Sequence, residues 1–150
     1  MKDGPKSPKP IPTDTRALIA VMRCGDRCRR FFTGLLKPWG VTLQQYNVLR
    51  ILRGAGPEGL PTLELGRRML EQTPGVTRLV DRLEKRGWVE RIRDRRDRRC
   101  VRCRVSAAGL ELLADLDELI RAWDRECFQA LGNGEKEELI SLLDRVLEEG

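Results

Sequence analysis

The stretch that most constrains this chain is residues 72–104, which reads as one amphipathic helix running into a very basic hairpin. Thr73-Pro74 is a helix-start signal, with a hydroxyl at the N-cap and a proline at the first helical position, where its missing N–H costs nothing. Val76, Leu79, Val80 and Leu83 then recur at three- and four-residue intervals, which predicts one buried face. The other face carries Thr77, Arg78, Asp81, Arg82 and Lys85. Gly87 is placed to stop the helix at the C′ position. Two strand-like runs follow, residues 88–93 and 100–105, joined by Asp94-Arg95-Arg96-Asp97-Arg98-Arg99. Within residues 82–104, eleven Arg and Lys stand against four Asp and Glu. A charged hairpin tip can serve merely to keep a sheet edge from pairing. A capped helix with an exposed polar face directly before it favours a winged helix that holds duplex DNA.

The 150 residues suit a single domain with a sizeable core. The net charge of +6 is uneven: residues 111–150 carry −8, which leaves +14 for residues 1–110. That asymmetry separates a polyanion-binding middle from an acidic C-terminal part. No apolar run approaches the roughly 20 residues of a membrane span, and no signal peptide is visible. The expectation is a cytoplasmic protein with no membrane partner.

Residues 1–12 hold four prolines and three lysines, the composition of a flexible basic arm. Thr13 or Asp14 is expected to cap a first helix running to about Lys37, with Leu18, Val21, Met22, Cys28, Phe32, Leu35 and Leu36 as its stripe. Ile19 and Phe31 widen that stripe, which implies more than one packing neighbour. Pro38-Trp39-Gly40 breaks the helix. Thr42 and Gln45 form a capping box for a second helix to about Arg53, burying Leu43, Tyr46 or Asn47, Leu49 and Leu52. Leu60-Pro61 is expected as a short bridging strand. Thr62 then caps a third helix through Met69 or Leu70, with Leu63, Leu65 and Met69 inward. The third and fourth helices together make a helix-turn-helix. Ser106 caps a long helix to about Leu131, with Leu110, Leu113, Leu116 or Leu119, Ile120, Trp123 and Cys127 as its apolar positions. After Gly132-Asn133-Gly134, a last helix over residues 135–147 shows Leu139, Leu142, Leu143, Val146 and Leu147. The compact middle does not need all of these stripes. Pairing with a second copy about a two-fold axis would bury them.

The order of elements, with "VTLQQYNVLRIL", "LPTLELGRRM", "TPGVTRLVDRLEKRGWVER", "DRRDRR" and "VSAAGLELL", resembles the MarR family of bacterial transcriptional regulators over residues 14–147. The resemblance implies a mainly α fold with a small β-hairpin wing. Residues 13–40 and 106–150 would form a dimerisation region, and residues 41–105 a winged-helix DNA-binding lobe. It implies a homodimer on a pseudo-palindromic double-stranded operator, with half-sites about one turn apart. Thr73, Pro74, Gly75, Thr77 and Arg78 would face bases or phosphates in the major groove, and Arg82 a phosphate. Arg96 corresponds to the arginine placed in the minor groove, where width is read more than letters. Asp94 corresponds to the carboxylate that orients it by an ion pair, and Arg95 and Arg98 would add phosphate contacts. Family members typically repress a promoter and release it when a small, often phenolic, molecule binds; others respond to thiol oxidation.

Cys24 and Cys28, four apart on the first helix, are the candidate redox pair. Arg23, Arg27, Arg29 and Arg30 would lower their thiol pKa, although small core thiols are the plainer reading. The family's peroxide-sensing branch has its reactive cysteine nearer the helix start. Cys100 and Cys103 point to opposite faces of a strand, which argues against a metal-binding pair. Without histidine, a zinc site would need four cysteines, and no metal or cofactor is expected. Trp39, Tyr46 and Trp123 are candidate ligand-pocket residues by analogy with aromatic-binding relatives. The lack of histidine and of a phosphate-binding glycine loop argues against an enzyme. The alternative is a winged-helix module whose basic wing meets a protein or RNA.

Overall fold

The computed structural model describes residues 10–70, 74–94, 96–97 and 99–148. Residues 1–9 of the expected basic arm, and Thr73, Arg95 and Arg98, lie outside the described residues. Helix α1, Thr13–Leu36, begins directly after Pro12 without a side-chain cap. Pro12 itself supplies the extended N-cap conformation (φ −55°, ψ 150°), so Thr13 and Asp14 fall inside the first turn rather than capping it. A single 3-10 turn over Lys37–Trp39 and a left-handed Gly40 end the element, as the Pro-Trp-Gly signal predicts.

Helix α2, Leu43–Ala55, starts on a complete capping box. The Thr42 hydroxyl accepts from the Gln45 N–H at 3.1 Å, and the Gln45 amide oxygen accepts from the Thr42 N–H at 3.0 Å. Tyr46, Val48, Leu49 and Leu52 are buried, which decides between Tyr46 and Asn47 and adds Val48. Strand β1, Leu60–Pro61, leads into α3, Thr62–Arg68. Thr62 is the first helical residue and not the cap, with its hydroxyl 3.6 Å from the Cys103 thiol. Leu63, expected inward, is 70% exposed. Residues two apart lie on nearly opposite sides of a helix, and Leu65 with Met69 takes the inward side.

Helix α4 is Val76–Lys85, which corrects the start expected at Thr73-Pro74. Gly75 sits at φ +100°, a left-handed conformation open to glycine at little cost. The chain therefore turns at Pro74-Gly75 and enters the helix two residues later than the proline signal suggested. At the other end the Gly87 N–H reaches the Glu84 carbonyl at 2.8 Å and the Trp88 N–H reaches the Leu83 carbonyl at 3.0 Å. That pair of bonds is a Schellman motif with Gly87 at C′.

Strands β2, Val89–Arg93, and β3, Val101–Val105, form the hairpin, and the antiparallel sheet has the order β1-β3-β2. Helix α5, Ala107–Cys127, is capped by Ser106, whose hydroxyl accepts from the Gly109 N–H at 3.1 Å. Gly109 is required: a Cβ there would stand 2.4 Å from the Trp88 carbonyl oxygen. The buried row is Leu112, Leu113, Leu116 and Ile120, while Leu110 and Leu119 are exposed on the far side. The helix ends at Cys127, not Leu131, because the chain leaves helical geometry at Phe128 (φ −110°). Helix α6, Asn133–Glu148, begins two residues before its expected start and buries none of its residues.

The core lies where α2, α3, α4 and α5 meet the sheet, around Leu49, Leu52, Leu65, Val80, Leu83 and Leu113. In contrast, Leu18, Val21 and Met22 on α1, and Val146 and Leu147 on α6, are exposed. No helix is long and apolar enough to cross a membrane among the described residues.

Candidate nucleic-acid interface

The site is built on α4 and the wing. Burial of Leu79, Val80 and Leu83 fixes which side of α4 faces the core, and thereby turns Pro74, Gly75, Thr77, Arg78 and Arg82 outward. Pro74, Gly75, Val76 and Thr77 share a groove with Thr62, Leu63, Gly66 and Arg67 of α3. The side chains of Arg78, Arg82, Arg93, Arg96 and Arg99 have no hydrogen-bonding or ionic partner among the described residues. These free cations occupy α4 and the wing.

The wing tip is shaped by carboxylates. One Asp94 oxygen accepts from the backbone N–H groups of Arg96 (2.7 Å) and Asp97 (3.3 Å). Asp97 in turn accepts from the Arg99 N–H at 2.9 Å. The other Asp94 oxygen pairs with Arg102 at 3.3 Å. Asp94 therefore holds Arg96 through its backbone and not through the side-chain ion pair implied by the family pattern. Its carboxyl is held below the usual range first by the Arg96 and Asp97 N–H groups and then by the Arg102 charge.

Three further arginines are spent inside the molecule. Arg102 donates to the Glu58 and Gly59 carbonyls, each at 2.8 Å, and fastens the wing base to the loop before β1. Arg86 donates to the Gly40 and Trp39 carbonyls and lies 3.9 Å over the Trp88 ring, tying the end of α4 to the turn after α1. Arg91 of β2 bridges Asp81 and Glu84 of α4. Burial pulls the Arg91 guanidinium down, but its two carboxylate partners outweigh that and leave it raised. Sequence reasoning passed over all three. A signal for Arg91 existed: it shares a strand face with buried Val89, where a cation needs carboxylates, and Asp81 and Glu84 lie one turn apart. Farther off, Arg53 of α2 grips Asp117 of α5 with two bonds, at 2.7 and 3.2 Å.

Two of the candidate pocket residues meet one ring: Phe32 stacks on Tyr46 at 5.9 Å and touches Trp123. Tyr46 lines a cavity of about 210 Å³ with Phe32, Leu43, Asn47 and Arg50, between α1 and α2. Burial pushes the Tyr46 phenol up, against the opposing charge of Arg50. Trp123 is stacked on Phe31 at 4.0 Å and meets Phe32 edge-on at 5.6 Å, so it belongs to an aromatic cluster at the α1–α5 contact. Trp39 packs against the core beside the Arg86 contact. Cys24 is exposed and Cys28 half-buried, and the arginines do not lower the Cys28 thiol as expected. Burial, followed by Cys24 and Cys127, raises the Cys28 thiol, and Arg27 offsets this least. Cys103 is buried, and Cys100 precedes the strand rather than lying in it. No group of three or more potential ligands is arranged for a metal among the described residues.

Residues 41–101, from the residue before the capping box through the hairpin, match the model of the MarR family. A crystal structure of a MarR transcription factor from Planctomyces limnophilus superimposes with a TM-score of 0.67 and 35% identity, covering 91% of this chain and 98% of that one. The chain belongs to the MarR family. A second structure, a mutant MarR from E. coli complexed with operator DNA, superimposes with a TM-score of 0.75 at 26% identity, over 85% of this chain and 91% of that one. Among curated MarR-type relatives, the transcriptional repressor MprA of Escherichia coli is 28% identical over 113 residues, which is 75% of this chain. The chain spans 64% of the length of that repressor.

Proposed function

We infer that this MarR-family chain is a DNA-binding transcriptional regulator. It acts in the cytoplasm as a homodimeric repressor of a pseudo-palindromic operator. The observation that carries this reading is the sorting of its arginines: those on the outer face of α4 and on the wing are free, while their neighbours are tied into the fold. A row of unpaired cations beside an exposed helix N-terminus suits a phosphate backbone. Thr73, Pro74, Gly75, Thr77 and Arg78 enter the major groove and Arg82 meets a phosphate. Arg96 enters the minor groove, held by Asp94, and Arg95 and Arg98 add phosphate contacts. The exposed apolar residues of α1 and α6 form the two-fold contact between protomers.

A small aromatic effector fits the cavity beside Tyr46, where Asn47 and Arg50 supply polar contacts at the junction of α1 with the DNA-binding lobe. Thiol oxidation at exposed Cys24 and half-buried Cys28 is the alternative releasing signal. No catalytic role is proposed; the named relatives are regulators. The test is selection from random duplexes followed by a measurement of stoichiometry. The expected result is an inverted-repeat site with half-sites about one helical turn apart, bound by two protomers. A selected pool without symmetry, or binding by one protomer, contradicts the reading.

A further inference from the structure

We propose that Arg91 is a positioning residue of the DNA-reading surface: from the wing it holds the side chains of Asp81 and Glu84 and cancels two carboxylates that would otherwise repel the duplex. This rests on the DNA-binding reading above. Asp81 and Glu84 lie one turn apart on the same helix as Arg78 and Arg82. Unmatched, their two negative charges would offset those two cations in front of a polyanion, a like-charge arrangement that costs affinity.

One guanidinium answers both carboxylates, with Nη2 on the Asp81 carboxylate and Nη1 on that of Glu84. Its planar fork suits two separate acceptors, which a lysine ammonium would serve only as a point charge. The strand below is fixed, because Arg91 stands opposite fully buried Cys103 in the sheet register. The Arg91 side chain is only 25% exposed, whereas Arg78 and Arg82 reach solvent without partners among the described residues. Arg91 thus serves DNA binding through α4 and makes no phosphate contact of its own.

The experiment is a mutant cycle read by affinity for the selected duplex at one salt concentration. It compares wild type, Arg91→Gln, the pair Asp81→Asn/Glu84→Gln, and all three substitutions together, with thermal melts to establish folding. Arg91→Gln should weaken binding about tenfold, the carboxylate pair alone should change it less than about threefold, and the triple variant should match the carboxylate pair, because coupled groups are not additive. A phosphate contact or a general packing role predicts additivity, with the triple variant as weak as Arg91→Gln, and that result overturns the proposal. If Arg91→Gln does not fold, the triple variant against the carboxylate pair decides: equal affinities support the proposal and a tenfold gap overturns it. A wild type that binds no duplex brings down the DNA-binding reading and this proposal with it, an outcome distinct from additivity in a chain that binds.

Discussion

Single side chains decide how the wing presents its charge. Asp94 collects two backbone N–H groups and the Arg102 guanidinium, and this holds its carboxyl below the ordinary range. A carboxylate whose pKa is depressed by folding contributes stability that is present above its unfolded value of about 3.9 and is lost as pH falls through the lower folded value. The wing tip should therefore keep its turn down to about pH 4 and lose it in more acidic solution. Amide shifts of Arg96 and Asp97, followed by NMR, should titrate together in that acidic window and stop titrating in Asp94→Asn. Movement of those amides near neutral pH would contradict the assignment. The family pattern implied an ion pair from Asp94 to Arg96; the structure instead gives bonds to the Arg96 and Asp97 backbone and an ion pair with Arg102. An Asx-type turn depends on backbone direction after the strand, which residue identity alone leaves open.

At the scale of elements, caps decided what could be read in advance. Thr42 and Gln45 announce α2 because each side chain satisfies the other's backbone, a chemistry written wholly in local sequence. Removing it with Thr42→Ala should cost about 1 kcal/mol and lower the thermal midpoint by roughly 2–4 °C; an unchanged midpoint would show that tertiary packing alone holds the helix start. Gly87 was legible for the same reason, since a left-handed C′ residue needs little context. Thr62 and Thr13 misled, because a preceding proline took the N-cap place in each case. Pro74 misled in another way: Gly75 accepts a conformation that postpones the helix. Periodicity gave the inner faces of α4 and α5. It erred at Leu63 and Leu110, where the direction of the core selects between apolar residues on different sides of one helix. The arginine anchors stayed hidden because their partners, Glu58 and Gly59 for Arg102 and Trp39 and Gly40 for Arg86, are distant in sequence.

Over the whole molecule, charge and apolar surface are segregated. Five arginines without a partner among the described residues lie on α4 and the wing, and most of the exposed large apolar residues lie on α1, α5 and α6, with Leu63, Leu70 and Val101 among the exceptions. Arg53 and Asp117 tie α2 to α5 in between. The broad stripes of α1 and α6 were readable as surplus, because a single core of this size cannot bury them. Of the candidate pocket residues, Tyr46 and Trp123 share the ring of Phe32, a contact between α1, α2 and α5 that spacing along one helix does not reveal. The central claim is that the free arginines of α4 and the wing bind duplex DNA. The most direct test is the affinity of wild type and Arg96→Ala for the selected duplex across a salt series. Arg96→Ala should bind about tenfold more weakly, with a log–log salt slope shallower by about 0.9 for each protomer's arginine, about 1.8 for the bound homodimer. Equal affinities and equal slopes for the two proteins would contradict the claim.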